Sequence, residues 1–167
     1  MLRALALTVV AFALLTASAV ARTVDVPARL GAEIPDAASI DVPVLLPSRV
    51  DLDIASSTKT YPEGDSKKGE YHLALSGAKD CGGANACFLA TFTGERGAKL
   101  GYKATNVKLA LGMKGHYRPL SCGASCSPPS IAWIQKGVRY EIQAKARGGR
   151  EAFVAMANSA IKNGNRG

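Results

Sequence analysis

The chain has 167 residues, of which 47% are hydrophobic and 20% charged, and its formal net charge is +8. This length fits one globular domain, and folding one would bury roughly two thirds of the surface that the unfolded chain exposes. The composition excludes a coiled coil and a collagen-like fibre, and the length does not favour a multidomain enzyme.

The first 21 residues have the order of a secretory signal peptide. Arg3 precedes an apolar stretch over residues 4–15, and Ala19, Val20 and Ala21 form a small-residue A-x-A site. The strongly apolar part is about 12 residues long, whereas a membrane-spanning helix needs about 20. We therefore expect cleavage after Ala21 and a protein that is secreted or periplasmic.

The segment that follows contains Pro27, Pro35, scattered charges and no sustained periodicity. This pattern predicts an extended, flexible lead-in over residues 22–41. A single globular domain is expected over residues 42–163, followed by a short tail over residues 164–167.

The four cysteines are expected to form disulfides, because thiols pair with each other in an oxidising compartment. Cys81 and Cys87 are separated by five residues, and Cys122 and Cys126 by three. Three connectivities are possible, and the spacing excludes none of them. Small residues inside each interval favour the two local pairs. Neither spacing is typical of a zinc site or of a thioredoxin-like redox pair, so we expect no metal.

Two hairpins are predicted from short period-two patterns that are separated by turn residues. Residues 71–75 and 88–93 form the first, joined by the cysteine loop between them. Residues 130–134 and 138–145 form the second, joined by a turn that contains Gly137. Further strands are expected at residues 50–54, 105–111 and 116–120.

Residues 42–47 are apolar but contain Pro43 and Pro47, so they predict an edge strand or an extended approach to the sheet. A helical period appears once, from Arg150 to the glycine-rich stop after Asn163, with Phe153 and Ile161 on its apolar stripe. The predicted fold class is α+β: a mainly antiparallel β-sheet with one C-terminal amphipathic helix packed on it.

Four segments carry a resemblance to known proteins. They are residues 41–47 (Asp-Val-Pro-Val-Leu-Leu-Pro), residues 121–126 (Ser-Cys-Gly-Ala-Ser-Cys), Trp133 followed by Gly-Val-Arg-Tyr at 137–140, and residues 156–161 (Met-Ala-Asn-Ser-Ala-Ile). Together they resemble a family of exported bacterial proteins without assigned activity. The last part is also similar to C-terminal modules of cell-envelope and sigma-factor regulatory proteins. The resemblance implies export and the fold class, and it supplies no catalytic residues.

Catalytic signals are sparse. His72 and His116 lie in or beside predicted strands, where one of them could serve as a general base. Ser125 lacks the final glycine of a G-x-S-x-G elbow and lies inside the second cysteine pair. Asp51 and Asp53 are spaced to share one face of a strand, where paired carboxylates could act in catalysis or hold a cation. No motif for a phosphate loop, a metalloprotease or a cofactor is present, and no cofactor is expected.

The excess of lysine and arginine predicts a partly basic sheet surface. Along the last strand Arg139, Lys145 and Arg147 share a face with Glu141 and Gln143. Such a surface suits an anionic envelope polymer, through contacts that weaken as salt rises. Nucleic acid is not favoured, because the aromatic side chains near this surface are expected to turn inward.

Tyr117, Arg118 and Pro119 precede the Cys122 to Cys126 loop, and we expect them to form the recognition element if the protein has one. The leading hypothesis is a non-catalytic exported domain that binds an envelope polymer or another exported protein, with His116, Tyr117, Arg118, Arg139 and Lys145 as candidate binding residues. One alternative is a small secreted enzyme, hydrolase-like, that uses His116 or a carboxylate. Another is a disulfide-braced secreted inhibitor or effector.

Overall fold

The computed structural model describes residues 22–101 and 104–167, and the predicted signal peptide with its cleavage site lies outside these residues. A seven-stranded antiparallel sheet forms the centre, in the order β3-β4-β5-β11-β10-β7-β6. The strands are β1 (Arg22–Asp25), β2 (Arg49–Leu52), β3 (Tyr61–Lys67), β4 (Glu70–Ser76), β5 (Phe88–Arg96), β6 (Val107–Lys108), β7 (Lys114–Arg118), β8 (Ser121–Cys122), β9 (Cys126–Ser127), β10 (Ser130–Gln135) and β11 (Val138–Ala144).

Two smaller ribbons, β1-β2 and β8-β9, accompany the main sheet. The helices are α1 (Val26–Leu30), α2 (Ala37–Ile40) and α3 (Gly149–Asn163), and 3-10 turns occupy Gly31–Glu33 and Ala110–Gly112. The predicted α+β class is confirmed, and both predicted hairpins pair in antiparallel register. Within the described residues no helix is long and apolar enough to cross a membrane.

One face of the sheet forms the core, because alternate side chains of each strand point to it. Along β11 the buried positions include Tyr140 and Ile142, while Arg139 and Glu141 between them face the open side. Tyr140 lies opposite Trp133 in register, and their rings stack with centroids 5.5 Å apart. This face therefore presents a continuous apolar surface to α3.

Helix α3 covers that surface with the stripe that the sequence predicted. Its buried side chains are Phe153, Met156, Ala157, Ala160 and Ile161. The Phe153 ring meets the Tyr117 ring on β7 at a centroid distance of 5.5 Å. Burying a phenylalanine of this kind stabilises the fold by about 3 kcal/mol.

The segment 42–47 is buried and extended but belongs to no strand, so its backbone groups find partners elsewhere. The hydroxyl of Tyr71 accepts a hydrogen bond from the Leu45 N–H and donates to the Leu45 carbonyl, both at 3.2 Å. The hydroxyl of Tyr140 donates to the Pro43 carbonyl at 3.1 Å. Gly94 makes room for the Tyr71 ring, since a Cβ at that position would collide with it. Two tyrosines of the sheet thus hold this segment.

The tail completes the same set of contacts. The Asn165 side-chain oxygen accepts from the Val44 N–H at 2.7 Å, and the Arg166 N–H donates to the Val44 carbonyl at 2.9 Å. Leu45 also forms a bridge with Asn165. Residues 164–167 are therefore packed against segment 42–47 and belong to the domain rather than to a separate tail.

The expected flexible lead-in over residues 22–41 is wrong. Strand β1 pairs with β2, and Val26, Leu30 and Ile40 are buried in the core. The carboxylates of Asp25 and Asp36 each accept a backbone N–H at the start of a short helix, at 3.0 Å. These helices have five and four residues, too short to show a helical period in the sequence.

The strand expected over residues 105–111 is largely wrong as well. Only Val107–Lys108 pair as β6, and the chain then enters a 3-10 turn with Leu111 at a φ of 56°. The sequence did not predict β3, because Pro62 and Gly64 break its strand-like sequence pattern and its second half is exposed. Both errors fall on the two edges of the sheet, where few neighbours enforce the pattern.

The two buried tyrosines should make the protein less stable at high pH. Burial raises the pKa of Tyr71, and burial raises the pKa of Tyr140 to about 12 despite the opposing charge of Arg96. A raised pKa means that the folded state favours the neutral tyrosine. The stability that each tyrosine contributes is therefore complete below pH 10, the approximate pKa in the unfolded chain, and is lost as the pH rises above 10. Each tyrosine should steepen the loss of stability by up to about 1.4 kcal/mol per pH unit. Urea unfolding at pH values from about 7 to 11 measures this slope.

Tyr71→Phe and Tyr140→Phe should each reduce that slope. Tyr71→Phe should also lower stability near pH 7 by about 1–3 kcal/mol, because it leaves the Leu45 N–H and carbonyl without their partner. Tyr61→Phe, at a half-buried edge position, controls for the loss of a hydroxyl. An unchanged slope in both core variants would contradict this account.

Candidate binding cleft

Both disulfides lie at the same end of the sheet, called here the disulfide end. It is the end where β4 meets β5 through residues 77–87 and where β7 meets β10 through residues 119–129. In an antiparallel sheet alternate connections fall on the same end, which brings these two loops together although about 40 residues separate them. The opposite end, called the turn end, carries the β3-β4, β10-β11 and β6-β7 turns.

The structure contains the two local bridges that the spacing favoured. Cys81 bonds to Cys87 and Cys122 bonds to Cys126, with Cα–Cα distances of 5.9 Å and 4.0 Å. Cys81 is buried, whereas the second bridge lies in an exposed ribbon, β8-β9. Two disulfides are consistent with an oxidising extracellular compartment.

A small polar network ties the two loops to each other and to the sheet. The side-chain amide of Asn85, inside the first loop, donates to the Cys126 carbonyl in the second at 3.2 Å. The Lys145 ammonium donates to the Asn85 carbonyl at 2.5 Å and lies 6.0 Å from the centre of the Phe88 ring. The relative position of the loops is therefore fixed by Asn85 and Lys145.

A cleft of about 550 Å³ lies between the loops. It is lined by Asp53, Asn85, Leu120, Ser125, Cys126, Pro128, Pro129, Lys145 and Ala146. Leu120 is 59% exposed, which is high for a leucine, while Pro128 beside it is buried and accepts a hydrogen bond from Gln143 at 3.2 Å. The volume is in the range of small-ligand sites, and a mostly apolar wall with a few polar groups is their usual composition.

Of the two charged side chains that line the cleft, Asp53 is paired within the protein and Lys145 can still bind a ligand. The Asp53 carboxylate accepts a hydrogen bond from Arg147 Nε at 2.7 Å, so its charge is balanced within the protein. The Lys145 ammonium donates to a neutral carbonyl and keeps donors for a further acceptor. An anionic group on a ligand could therefore bind at Lys145.

Tyr117 is not a surface recognition residue, and that prediction is wrong. Strand alternation puts Tyr117 on the helix-facing side of β7, where it is buried against Phe153. The Arg150 guanidinium lies 5.8 Å from the centre of its ring. The residue is part of the core, and a single strand does not reveal which of its two faces a helix will cover.

The remaining candidate residues are spread over the sheet rather than gathered. His116 and Arg118 lie on the open face of β7, and Arg139 lies near the turn end of β11, where it pairs with Glu141. Lys145, the residue that follows β11, lies about 20 Å from Arg139. Of the predicted binding residues, the structure places Lys145 at the cleft.

The candidate catalytic residues are also apart from each other. His116 Nδ1 donates to the Ala104 carbonyl at 2.6 Å on β7, next to the edge strand β6, whereas Ser125 lies in the disulfide-closed ribbon. Asp51 bonds to Thr23 and Asp53 to Arg147. In the described ranges no group of three or more histidine, cysteine or acidic side chains could hold a metal ion.

Sequence reasoning missed Asn85 and Leu120 as site residues. Asn85 is the polar side chain within the first cysteine loop's run of small residues, and Leu120 is an apolar residue next to a predicted loop. Either feature marks a loop residue with an available side chain, but only the sheet topology shows that the two loops meet.

Comparison with protein-family models, with curated proteins and with solved structures found no match to this chain. The resemblance to exported bacterial proteins therefore stays a prediction, and any conclusion on function depends on the geometry alone.

The exposed bridge should shape the cleft more than it stabilises the sheet. Cys122→Ser with Cys126→Ser should lower the free energy of unfolding by about 2 kcal/mol, the value for a short loop, and leave β10 and β11 folded. Cys81→Ser with Cys87→Ser should cost more, because it also buries a hydroxyl at position 81. Urea unfolding and backbone amide NMR shifts of both pairs measure this difference. Loss of the sheet signals in the first pair would contradict it.

Proposed function

We propose that this protein is an exported, non-catalytic binding domain that holds part of another exported protein in the cleft between its disulfide loops. The observation that supports it is the cleft itself: an apolar wall of Leu120, Pro128 and Pro129 with the Lys145 ammonium at its side. The site is preorganised, since proline and disulfide rings leave few conformations to lose on binding.

Export is supported by two kinds of observation. The N-terminal pattern ending at Ala21 is that of a cleavable signal, and the two disulfides suit an oxidising compartment. Local bridges of this kind stabilise loops, which is useful for a domain that acts through loops outside the cell.

The composition of the cleft favours a peptide segment over a sugar polymer. Sugars are bound through many hydrogen-bonding side chains, whereas this wall consists largely of proline, leucine, alanine and the disulfide. A leucine-sized or proline side chain next to a carboxylate would bury apolar surface and place an anion at Lys145. We therefore propose an extended segment with an apolar residue beside an acidic residue or a free C-terminus.

The alternative of a secreted hydrolase receives less support from the geometry. Histidine is not among the residues that line the cleft in the described ranges, and the His116 imidazole is engaged by the Ala104 carbonyl on the open face of the sheet. A nucleophile at Ser125 would need a base within hydrogen-bond reach. The binding proposal needs only the residues that line the cleft, in the positions where the structure has them.

Selection from a library of random heptapeptides with free C-termini tests the proposal on the exported protein. Selected peptides should carry an apolar residue beside a carboxylate, and their amide NMR footprint should cover residues 85, 120–129 and 145. Lys145→Gln keeps a donor for Asn85 but removes the charge, so it should weaken binding about tenfold or more. Leu120→Ser should weaken binding to a similar extent.

Arg139→Gln and His116→Ala are the matched controls, because both lie away from the cleft. Neither should change the affinity. Peptides whose footprint falls elsewhere on the sheet would contradict the proposal. A hydrolytic turnover that His116→Ala abolishes would favour the enzyme instead.

A further inference from the structure

The turn end of the sheet gathers three connections side by side. Lys67 faces Glu70 at the β3-β4 turn, Gln135 faces Val138 at the β10-β11 turn, and Lys108 faces Lys114 at the base of the β6-β7 turn. Backbone bonds align them: the Arg96 N–H donates to the Gly69 carbonyl and the Gly97 N–H to the Gly137 carbonyl, both at 2.8 Å. Seven strands at their usual spacing make this a row about 29 Å long.

Two aliphatic side chains are exposed at this end. Leu111, at the tip of the β6-β7 turn, is 78% exposed, and Ile134, near the end of β10, is 44% exposed. Ile134 lies beside the start of β7, because Trp133 before it pairs with Gly115, and Leu111 precedes β7 by three residues. Folding gains little from side chains in these positions.

The backbone at Leu111 is strained, which makes its exposure notable. Its φ of 56° and ψ of 30° lie in the left-handed region, where a branched side chain costs about 1–2 kcal/mol. The turn is held there from α3, since the Asn158 side-chain oxygen accepts the Ala110 N–H at 2.6 Å. The structure thus presents a leucine to solvent at a cost.

Five exposed lysines lie along the turn end. Lys108, Lys114 and Lys136 belong to the same two turns as Leu111 and Ile134, and Lys67 and Lys68 lie at the β3-β4 turn toward the other edge. Lys108 and Lys114 lie directly opposite each other on one face, an arrangement that destabilises a strand pair. Glu70 pairs with Lys67 at 2.9 Å, and Glu95 is exposed nearby, so the row is basic overall but not uniformly so.

We propose that the turn end docks on the surface of an anionic lipid bilayer. The row of turns would lie along the membrane, with Leu111 and Ile134 entering the interface and the lysines meeting lipid phosphates. A soluble polyanion would satisfy the lysines but leave both aliphatic side chains in water. The observations therefore favour a bilayer over a free polymer.

This inference does not depend on the binding role proposed for the cleft. The cleft lies at the disulfide end, across the length of the strands from the turn end. A protein docked in this way would hold the cleft open to the solution. Failure of one proposal leaves the other unaffected, because their variants share no residue.

Flotation with vesicles tests the proposal on protein purified from the exported fraction, with its N-terminus determined by mass spectrometry. The protein should bind vesicles of equal parts phosphatidylglycerol and phosphatidylcholine and should not bind phosphatidylcholine alone. Lys108→Glu with Lys114→Glu should reduce the affinity about tenfold or more, and raised salt should weaken it too. Leu111→Asn with Ile134→Thr should have an effect of similar size.

These aliphatic substitutions should not unfold the protein, because asparagine tolerates the left-handed region and threonine suits a strand. Lys59→Glu with Lys79→Glu makes the same charge change near the disulfide end and is the matched control. A loss of affinity in this control equal to that of the first pair would overturn the proposal. So would the absence of vesicle binding, full binding by the aliphatic variant, or binding of inorganic polyphosphate in place of vesicles.

Discussion

The fold depends on the need to satisfy the backbone of a buried segment that cannot join the sheet. Residues 42–47 are buried and contain two prolines, which have no N–H to donate, so this segment cannot form the regular hydrogen bonds of a β-strand. Buried N–H and carbonyl groups without partners would each cost about 1–3 kcal/mol. Tyr71 and Tyr140 from the sheet and residues 165–166 from the end of the chain supply those partners instead. Distant parts of the sequence are thereby joined at one place.

This arrangement leaves the two ends of the sheet for other purposes. With the core face closed by α3 and segment 42–47, the loops at the disulfide end and the turns at the other end remain accessible. One end forms an apolar cleft fixed by Asn85 and Lys145, and the other a row of turns with exposed Leu111. Loops on a rigid scaffold are where binding residues commonly occur.

Much of the fold could be predicted from the sequence, and the reason is local regularity. Strand β11 alternates buried and half-buried residues along its whole length, and the apolar stripe of α3 runs from Phe153 to Ile161, more than two helical turns. The order of the sheet, by contrast, depends on pairing between distant strands. Residues 22–41 were predicted wrongly because their helices are shorter than any period that a sequence can show.

The candidate site was harder to predict, since alternation separates the two faces of a strand without saying which face is covered. Tyr117 was expected at the surface and lies in the core, one position from Arg118 on the open side. Lys145 was expected to act with Arg139, but Arg139 lies near the start of β11 and Lys145 directly follows its end. Only the topology shows that Lys145 meets the first cysteine loop.

Native-state hydrogen exchange at Val44 and Leu45 tests the central claim most directly. Their N–H groups bond to Asn165 and Tyr71, outside any strand. If these contacts hold the fold together, both amides should exchange only by global unfolding, with the same protection as Ile142 in the middle of β11. Exchange of Val44 and Leu45 at the rate of an open loop, while Ile142 stays protected, would contradict it.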